Sequence, residues 1–278
     1  MGSLTKRIIL TCTSVPAIFA LIYFFPHYHH LGFALLTVWA VYVGSKEIAN
    51  LLFPKSKPLI PHYLTVLLPI VQYVQLFYIP EIPLVSITFI VLLSIGFSQE
   101  VFTGVQDSFS DSISRISRTA FLAVYPGFFS LFLIRLLPYD QATWLLLMLF
   151  LLVFGNDTFA YIFGMWLGKG NRNIFAVSPN KSLAGFIGGT ISTMILSVVW
   201  AVSIPAMREV FTIFQSLVVG LILSIISNLG DLIESALKRG AHVKDSGTII
   251  MGRGGIMDSI DSLLMSAPFF LICIELFT

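Results

Sequence analysis

Long apolar runs alternate with short polar breaks along this chain, and the runs share a common length. Nearly uncharged stretches cover residues 8–25, 31–53, 61–79, 82–97, 119–137, 142–167, 183–204, 211–237 and 257–277. A helix rising about 1.5 Å per residue needs about 20 apolar residues to cross roughly 30 Å of hydrocarbon. The pattern predicts an all-α, polytopic integral membrane protein with about nine transmembrane helices. A membrane β-barrel would show weakly alternating segments of about 10 residues instead. The second run is the least regular, because Lys46 and Glu47 stand near its end, and the fourth is short. Lys6 and Arg7 precede the first run as in a secretory leader. That run is long and lacks a small-residue cleavage site, so a first membrane helix is expected.

Composition agrees with the pattern. The chain is 56% hydrophobic and 11% charged, with a mean hydropathy of +0.91. Soluble domains are about 25% charged. Cys12 and Cys273 both fall in apolar runs, which predicts packed or lipid-facing thiols and no disulfide. The net charge of +2 says less than its distribution. With a cytoplasmic N-terminus, all of the 16 Lys and Arg except Arg135 and Arg208 fall on the cytoplasmic side. The positive-inside rule predicts that bias, and it places the C-terminus outside. Short loops and compact size point to a bacterial inner membrane. No nucleic-acid partner is expected. Membrane lipids are, and a homodimer stays open.

Several polar groups interrupt the runs. The tip PHYHH holds His27, His29 and His30. Such a trio can bind a transition metal, but an interfacial turn with amphipathic rings is the plainer expectation. Residues 98–118 read as a solvated connection with an amphipathic helix, and no chemistry is assigned to them. Asp157 is the one charge in the sixth run. A carboxylate within a span costs about 2.5–3.5 kcal/mol at its centre, so it should face the bundle interior or water. Tyr161, four residues on, shares its face. The next loop reads SPNKSLAGFIGG from Ser178 to Gly189. Lys181 with Gly185, Gly188 and Gly189 could cradle phosphate. The same glycines are also what packs membrane helices together.

Chemistry concentrates in residues 227–262. Five carboxylates, four bases and six glycines lie there between two apolar runs. Asp231, Glu234 and Lys238 share a helical face at the end of the eighth run. Asp258 and Asp261 stand one turn apart at the start of the ninth. Topology puts both ends on the cytoplasmic side, where they can meet if the helices are neighbours. Hard oxygen ligands suit Mg²⁺, which shares its shell with substrate phosphates. Lys238, Arg239 and Lys244 are placed to hold phosphates. Arg253, Gly254 and Gly255 precede the ninth helix, whose N-terminus would form an anion site. Salt-bridged helix ends in a basic loop would account for the bases but not for the acids.

These residues carry a resemblance. Ser235, Leu237, Lys238, Arg239, Lys244, Asp245 and Gly247 are followed by Gly254, Gly255, Asp258 and Asp261. The series resembles the signature of phosphatidate cytidylyltransferases, or CDP-diacylglycerol synthases. NDTFAYIFG and SPNKSLAGFIGG upstream are also similar to that family's segments. The motif similarity covers about residues 155–262. It implies Mg²⁺-dependent reaction of CTP with phosphatidic acid at a cytoplasm-facing cavity, releasing pyrophosphate. It further implies Asp231, Asp258 and Asp261 as metal ligands, with Asp231, Asp258, Lys238 and Lys244 catalytic. Lys181, Ser178, Arg239, Arg253, Gly254, Gly255 and Asp157 would bind substrate or line the cavity. Residues 1–137 would then be an N-terminal transmembrane region and 138–278 the catalytic one. A CTP-dependent polyprenol-type lipid kinase would need many of the same groups. A non-catalytic anionic-lipid-binding homologue, or a transporter, would retain the fold. No internal repeat supports transport.

Arg253, Met251, Ser259 and Ala184 depart from the family's pattern, which has His, Pro or Gly, Arg and an acid there. An arginine keeps a phosphate-binding charge but exchanges no proton near neutral pH. If Arg253 offsets the arginine missing at Ser259, Arg253→Ala loses far more turnover than Arg253→His. Equal losses in the two variants, assayed side by side, would refute that compensation.

Overall fold

The computed structural model describes residues 3–54, 56–250 and 254–277, with the backbone alone for 3–12. Met251 and Arg253 therefore lie outside the described residues, as does the side chain of Cys12. The chain is helical: α1 Ser3–Phe24, α2 His27–Leu52, α3 Leu67–Phe77, α4 Leu84–Thr103, α5 Ser112–Leu122, α6 Phe129–Ile134, α7 Ala142–Leu167, α8 Leu183–Ser203, α9 Pro205–Arg208, α10 Ile213–Gly240 and α11 Met257–Phe277. A 3₁₀ turn, His62–Val66, precedes α3, and a π-helical turn, Ala123–Phe128, joins α5 to α6. Among the described residues, seven helical segments are long and apolar enough to cross a membrane. The first expected span is α1, whose apolar stretch Thr13–Phe24 lies among the residues with described side chains, and the third corresponds to the shorter apolar helix His62–Phe77.

Two compact units make up the chain. One holds Met1–Pro138 with Ala241–Ser259, the other Tyr139–Gly240 with Ile260–Thr278. In the first, Ile60, Leu68, Leu92 and Leu131 form a buried apolar cluster. The irregular second run is fully helical, because Lys46 and Glu47 continue α2 to Leu52. Its start differs from a plain helix. Tyr28, His29 and His30 take left-handed backbone angles, with φ of 49°, 54° and 57°, which L-residues rarely adopt. Two contacts hold this turn. The His29 ring stacks on Phe77, centroids 4.1 Å apart, and the Tyr73 hydroxyl donates to the Tyr28 carbonyl. The histidine tip is thus an aromatic-braced turn, and among the described residues no group of three or more metal-ligating side chains is gathered to hold an ion.

Residues 98–118 are mostly exposed and carry the expected amphipathic helix, but two of their charges are buried. α4 runs on to Thr103 and into a 3₁₀ turn, and α5 begins at Ser112. Glu100 and Arg115 are both buried between these elements. Arg115 Nε and Nη2 donate to Glu100 at 2.8 and 2.5 Å, and Nη1 donates to Asp107 at 2.5 Å. Ser112 Oγ donates to the same Glu100 carboxylate. α5 is amphipathic: Arg115, Thr119 and Leu122 face inward, while Ile113 is exposed. The fork of one guanidinium meeting two carboxylates fixes the α4–α5 corner.

In the second unit α8 packs against α7 and α10 through positions without side chains. A Cβ at Gly220 would come within 2.6 Å of Met194 Cα, and one at Gly185 within 2.6 Å of the Ala160 carbonyl. Small residues of this kind let backbones approach closely. Hydroxyls and an amide fill the shared interior. Ser224 Oγ donates to Asn156 Oδ1 at 2.7 Å and lies 2.8 Å from Thr190 Oγ1. Thr193 and Ser227 also reach Asn156. α10 and α11 are direct neighbours at Gly230, where a Cβ would stand 3.0 Å from the Asp261 carbonyl and from Ser262 Cα. Ser262 Oγ donates to the Ser227 carbonyl at 3.0 Å, and Gln215 Nε2 donates to the Phe277 carbonyl at 3.4 Å. The two helices therefore run antiparallel.

Removing one partner of a buried ion pair costs about 3–5 kcal/mol, because the other charge stays buried. Arg115→Ala should lower the thermal stability of the purified protein by that order, and Arg115→Lys should restore only part of it, having no fork to meet both acids.

Candidate functional site

The start of α11 is built from a glycine turn that cannot cap itself. Gly254 takes φ +118°, and an antiparallel bridge to Ile250 pins it, with reciprocal N–H···O bonds of 2.8 and 3.1 Å. A Cβ there would sit 2.5 Å from Asp258 Oδ2. Gly255 follows, two residues before α11, where a capping Ser or Asp could offer an oxygen to the first helical amides. Glycine offers none. Glu47, from the end of α2, supplies both oxygens instead: the Ile256 amide donates to Oε1 at 3.1 Å and the Met257 amide to Oε2 at 2.8 Å. Asp258 reaches back to the Gly255 amide at 2.7 Å, as the third residue of a capping box does. Ser246 adds its amide at 2.9 Å and its hydroxyl at 2.8 Å to the same Asp258 oxygen.

The Gly-Gly amides expected to cradle phosphate are thus engaged within the chain. From Gly254 to Met257 every amide has an acceptor: Ile250, Asp258 or Glu47. The anion at this helix N-terminus is the protein's own carboxylate. Gly254 and Gly255 shape the turn that presents Asp258, which is half-buried, while Lys244 lies exposed in the same unit.

The second unit gathers the remaining candidates. The ends of α10 and α11 are neighbours at Gly230, so Asp231 and Glu234 lie within electrostatic reach of Asp261, as does Asp157 on α7. Asp261 is buried. Its Oδ1 accepts from the Ser262 amide at 2.6 Å, and its Oδ2 is buried with no hydrogen-bond partner among the described residues. Lys181 pairs with Asp231 at 2.6 Å, and Lys238 pairs with Glu234 one turn back along α10. The loop before α8 sets Lys181 in place. The Lys181 amide donates to the Ser178 carbonyl at 3.1 Å, and the Lys181 carbonyl accepts from the Asn173 amide at 3.2 Å. Ser182 then caps α8 through the Gly185 amide at 3.1 Å. Arg239 Nε reaches the Val177 carbonyl at 3.4 Å, which brings the end of α10 beside Ser178. Asp157 is exposed, as is Tyr161 on the same face. Of the three glycines in that loop and helix, Gly185 and Gly189 pack against α7 backbone and Gly188 against the Phe163 ring.

Two functional features escaped the sequence. Glu47 looked like an irregularity in a span, yet a carboxylate in an apolar run is costly and asks for a partner. Glu234 was legible as a face-mate of Asp231, but its complete burial was not. Ser259, where the family would place an arginine, has a buried hydroxyl without a hydrogen-bond partner among the described residues.

Comparison with known proteins finds relatives over most of the chain. A phosphatidate cytidylyltransferase of Staphylococcus saprophyticus is 32% identical over 259 residues, covering 92% of this chain and 95% of that protein. One from Staphylococcus aureus is 34% identical over 200 residues, 72% of this chain and 69% of that protein. One from Staphylococcus haemolyticus is 36% identical over 185 residues, 66% of this chain, and there the alignment spans 65% of the relative, just under two thirds. The sequence profile of the Cytidylyltransferase family matches residues 5–277, so the chain belongs to that family.

Proposed function

We propose that the protein transfers cytidylyl from CTP to phosphatidic acid, giving CDP-diacylglycerol and pyrophosphate in phospholipid biosynthesis. The observation that carries this reading is the acid–lysine cluster of the second unit, in a chain of the cytidylyltransferase family. A phosphate oxygen of phosphatidic acid attacks the α-phosphorus of CTP. The bond from that phosphorus to the bridging oxygen breaks, and pyrophosphate carries the electron pair away. The substrate is the nucleophile, so no side chain need form a covalent intermediate.

The chain's own part is to hold charge in place. Lys181 carries three ammonium donors. With one on Asp231, others can reach phosphate oxygens, and Arg239 beside Ser178 adds a planar donor set. Lys238, Lys244 and Arg253 complete the proposed phosphate-binding side chains, since the Gly254 and Gly255 amides are spoken for. Fixed positive groups aimed at the phosphates stabilise charge that grows as pyrophosphate leaves. The donor type suits Mg²⁺, hard carboxylate oxygens, one of them the buried Asp261 Oδ2 with no hydrogen-bond partner among the described residues, where no three such side chains are yet gathered around one point. Asp231, Asp258 and Asp261 would hold the ion, which when bound neutralises phosphate charge and polarises the phosphoryl group. Asp157, exposed on α7, would line the polar entrance. Loop charge supports a cytoplasmic N-terminus and a site open to the cytoplasm of a cell membrane.

Purified protein in mixed micelles, given CTP, Mg²⁺ and phosphatidic acid, should release pyrophosphate in step with CDP-diacylglycerol. Asp258→Asn and Asp261→Asn should each lower that rate by about a hundredfold or more, the scale of losing a group that stabilises developing charge. CDP without pyrophosphate, on adding a polyprenol, would identify a lipid kinase instead. Lipid binding with no turnover would identify a non-catalytic homologue.

A further inference from the structure

We infer that Glu47 is a positioning residue for the cytidylyl transfer: it sets the start of α11 and, through it, the orientation of Asp258. This rests on the proposed role of Asp258. Glu47 is 5% exposed near the end of a membrane-spanning helix, and a carboxylate there is costly unless donors surround it. The donors come from one short stretch 199 to 210 residues away in sequence: the Ser246 hydroxyl and the Ile256 and Met257 amides. The glycines of that stretch make the room. A Cβ at Gly247 would run into Oε1, and one at Gly255 into Oε2 and the Ser246 hydroxyl. Two glycines of the signature are thus explained by a residue far outside it.

The link to Asp258 is direct. Ser246 Oγ lies 3.2 Å from Glu47 Oε2 and 2.8 Å from Asp258 Oδ2. A serine has one hydroxyl proton, so the two carboxylates compete for it. Gly255, whose amide holds Asp258 at 2.7 Å, is wedged against Glu47. Three donors on one oxygen orient the Asp258 carboxylate, much as outer partners orient the ligands of a metal. A glutamine at 47 would keep the shape but give one α11 amide an NH₂ group in place of an acceptor. The turn would shift and Asp258 with it.

The test uses the full chain in detergent, with Mn²⁺ as a spin probe for divalent-ion binding, Mg²⁺-dependent turnover and thermal unfolding. Glu47→Gln should fold and weaken Mn²⁺ binding about tenfold or more, the range for losing an outer partner of a ligand. It should raise the Mg²⁺ needed for half-maximal rate in parallel and leave the KM for CTP within about twofold. A purely structural role would lower the unfolding temperature without moving Mn²⁺ affinity. Ser246→Ala, a smaller change, should weaken Mn²⁺ binding several-fold. If Glu47→Gln does not fold, Ser246→Ala decides. Unchanged Mn²⁺ affinity in the deciding variant, while Asp258→Asn is defective, overturns the role of Glu47 alone. Unchanged Mn²⁺ affinity and turnover in Asp258→Asn overturns the assignment of Asp258 and the inference with it.

Discussion

A charge in an apolar interior has to be met by donors or by an opposite charge, and most of the polar architecture here answers that demand. Each buried acid is answered differently. Glu100 is met by a guanidinium, Glu234 by a lysine one turn along its helix, and Glu47 by backbone amides. Asp261 is answered least, with one oxygen on a neighbouring amide and the other without a hydrogen-bond partner among the described residues. In a well-packed protein an unanswered acid of this kind marks either strain or a place kept for a ligand. The proposed function takes it as the second.

The apolar framework serves the same end by other means. α8 approaches α7 and α10 over glycines, and serine, threonine and asparagine fill the shared interior. Between membrane helices apolar burial gives little drive to associate, so close backbone contact and hydroxyl networks take over. That close packing carries the acids of α10 and α11 to one end of the unit. Gly230 is the hinge point of the arrangement, since any side chain there would push the Asp231 end of α10 away from Asp261.

Much of this was legible in the chain. Run lengths gave the helical class and most helix positions, because about 20 apolar residues in a row admit few other structures. Helical spacing placed Asp231 with Glu234, and chain order made α10 and α11 candidate neighbours. Composition of the runs does not show where a helix changes pitch. In the third, 3₁₀ geometry occupies His62–Val66 before the α-helix starts. The buried Glu100–Arg115 pair, with Asp107 at its edge, was hidden for a different reason. Serines and charges in a row look solvated unless one knows which pair across a corner. The Gly-Gly amides turn out to be taken locally, by the Ile250 carbonyl and Asp258, and the next two amides, Ile256 and Met257, find their acceptor in Glu47 about two hundred residues away, beyond any local pattern.

That distance has a consequence for how the sequence can drift. Residue 47 and residues 246, 247 and 255 share one small volume, filled by a carboxylate on one side and by absent side chains on the other. A larger residue at 247 or 255 is tolerable only if position 47 retreats, and a shorter acid at 47 leaves two amides stranded unless a capping oxygen appears at 255. Neither exchange works first on its own. Lineages of this fold should therefore keep the four positions together or change them together, so that α2 and the loop before α11, far apart in the chain, are inherited as one trait.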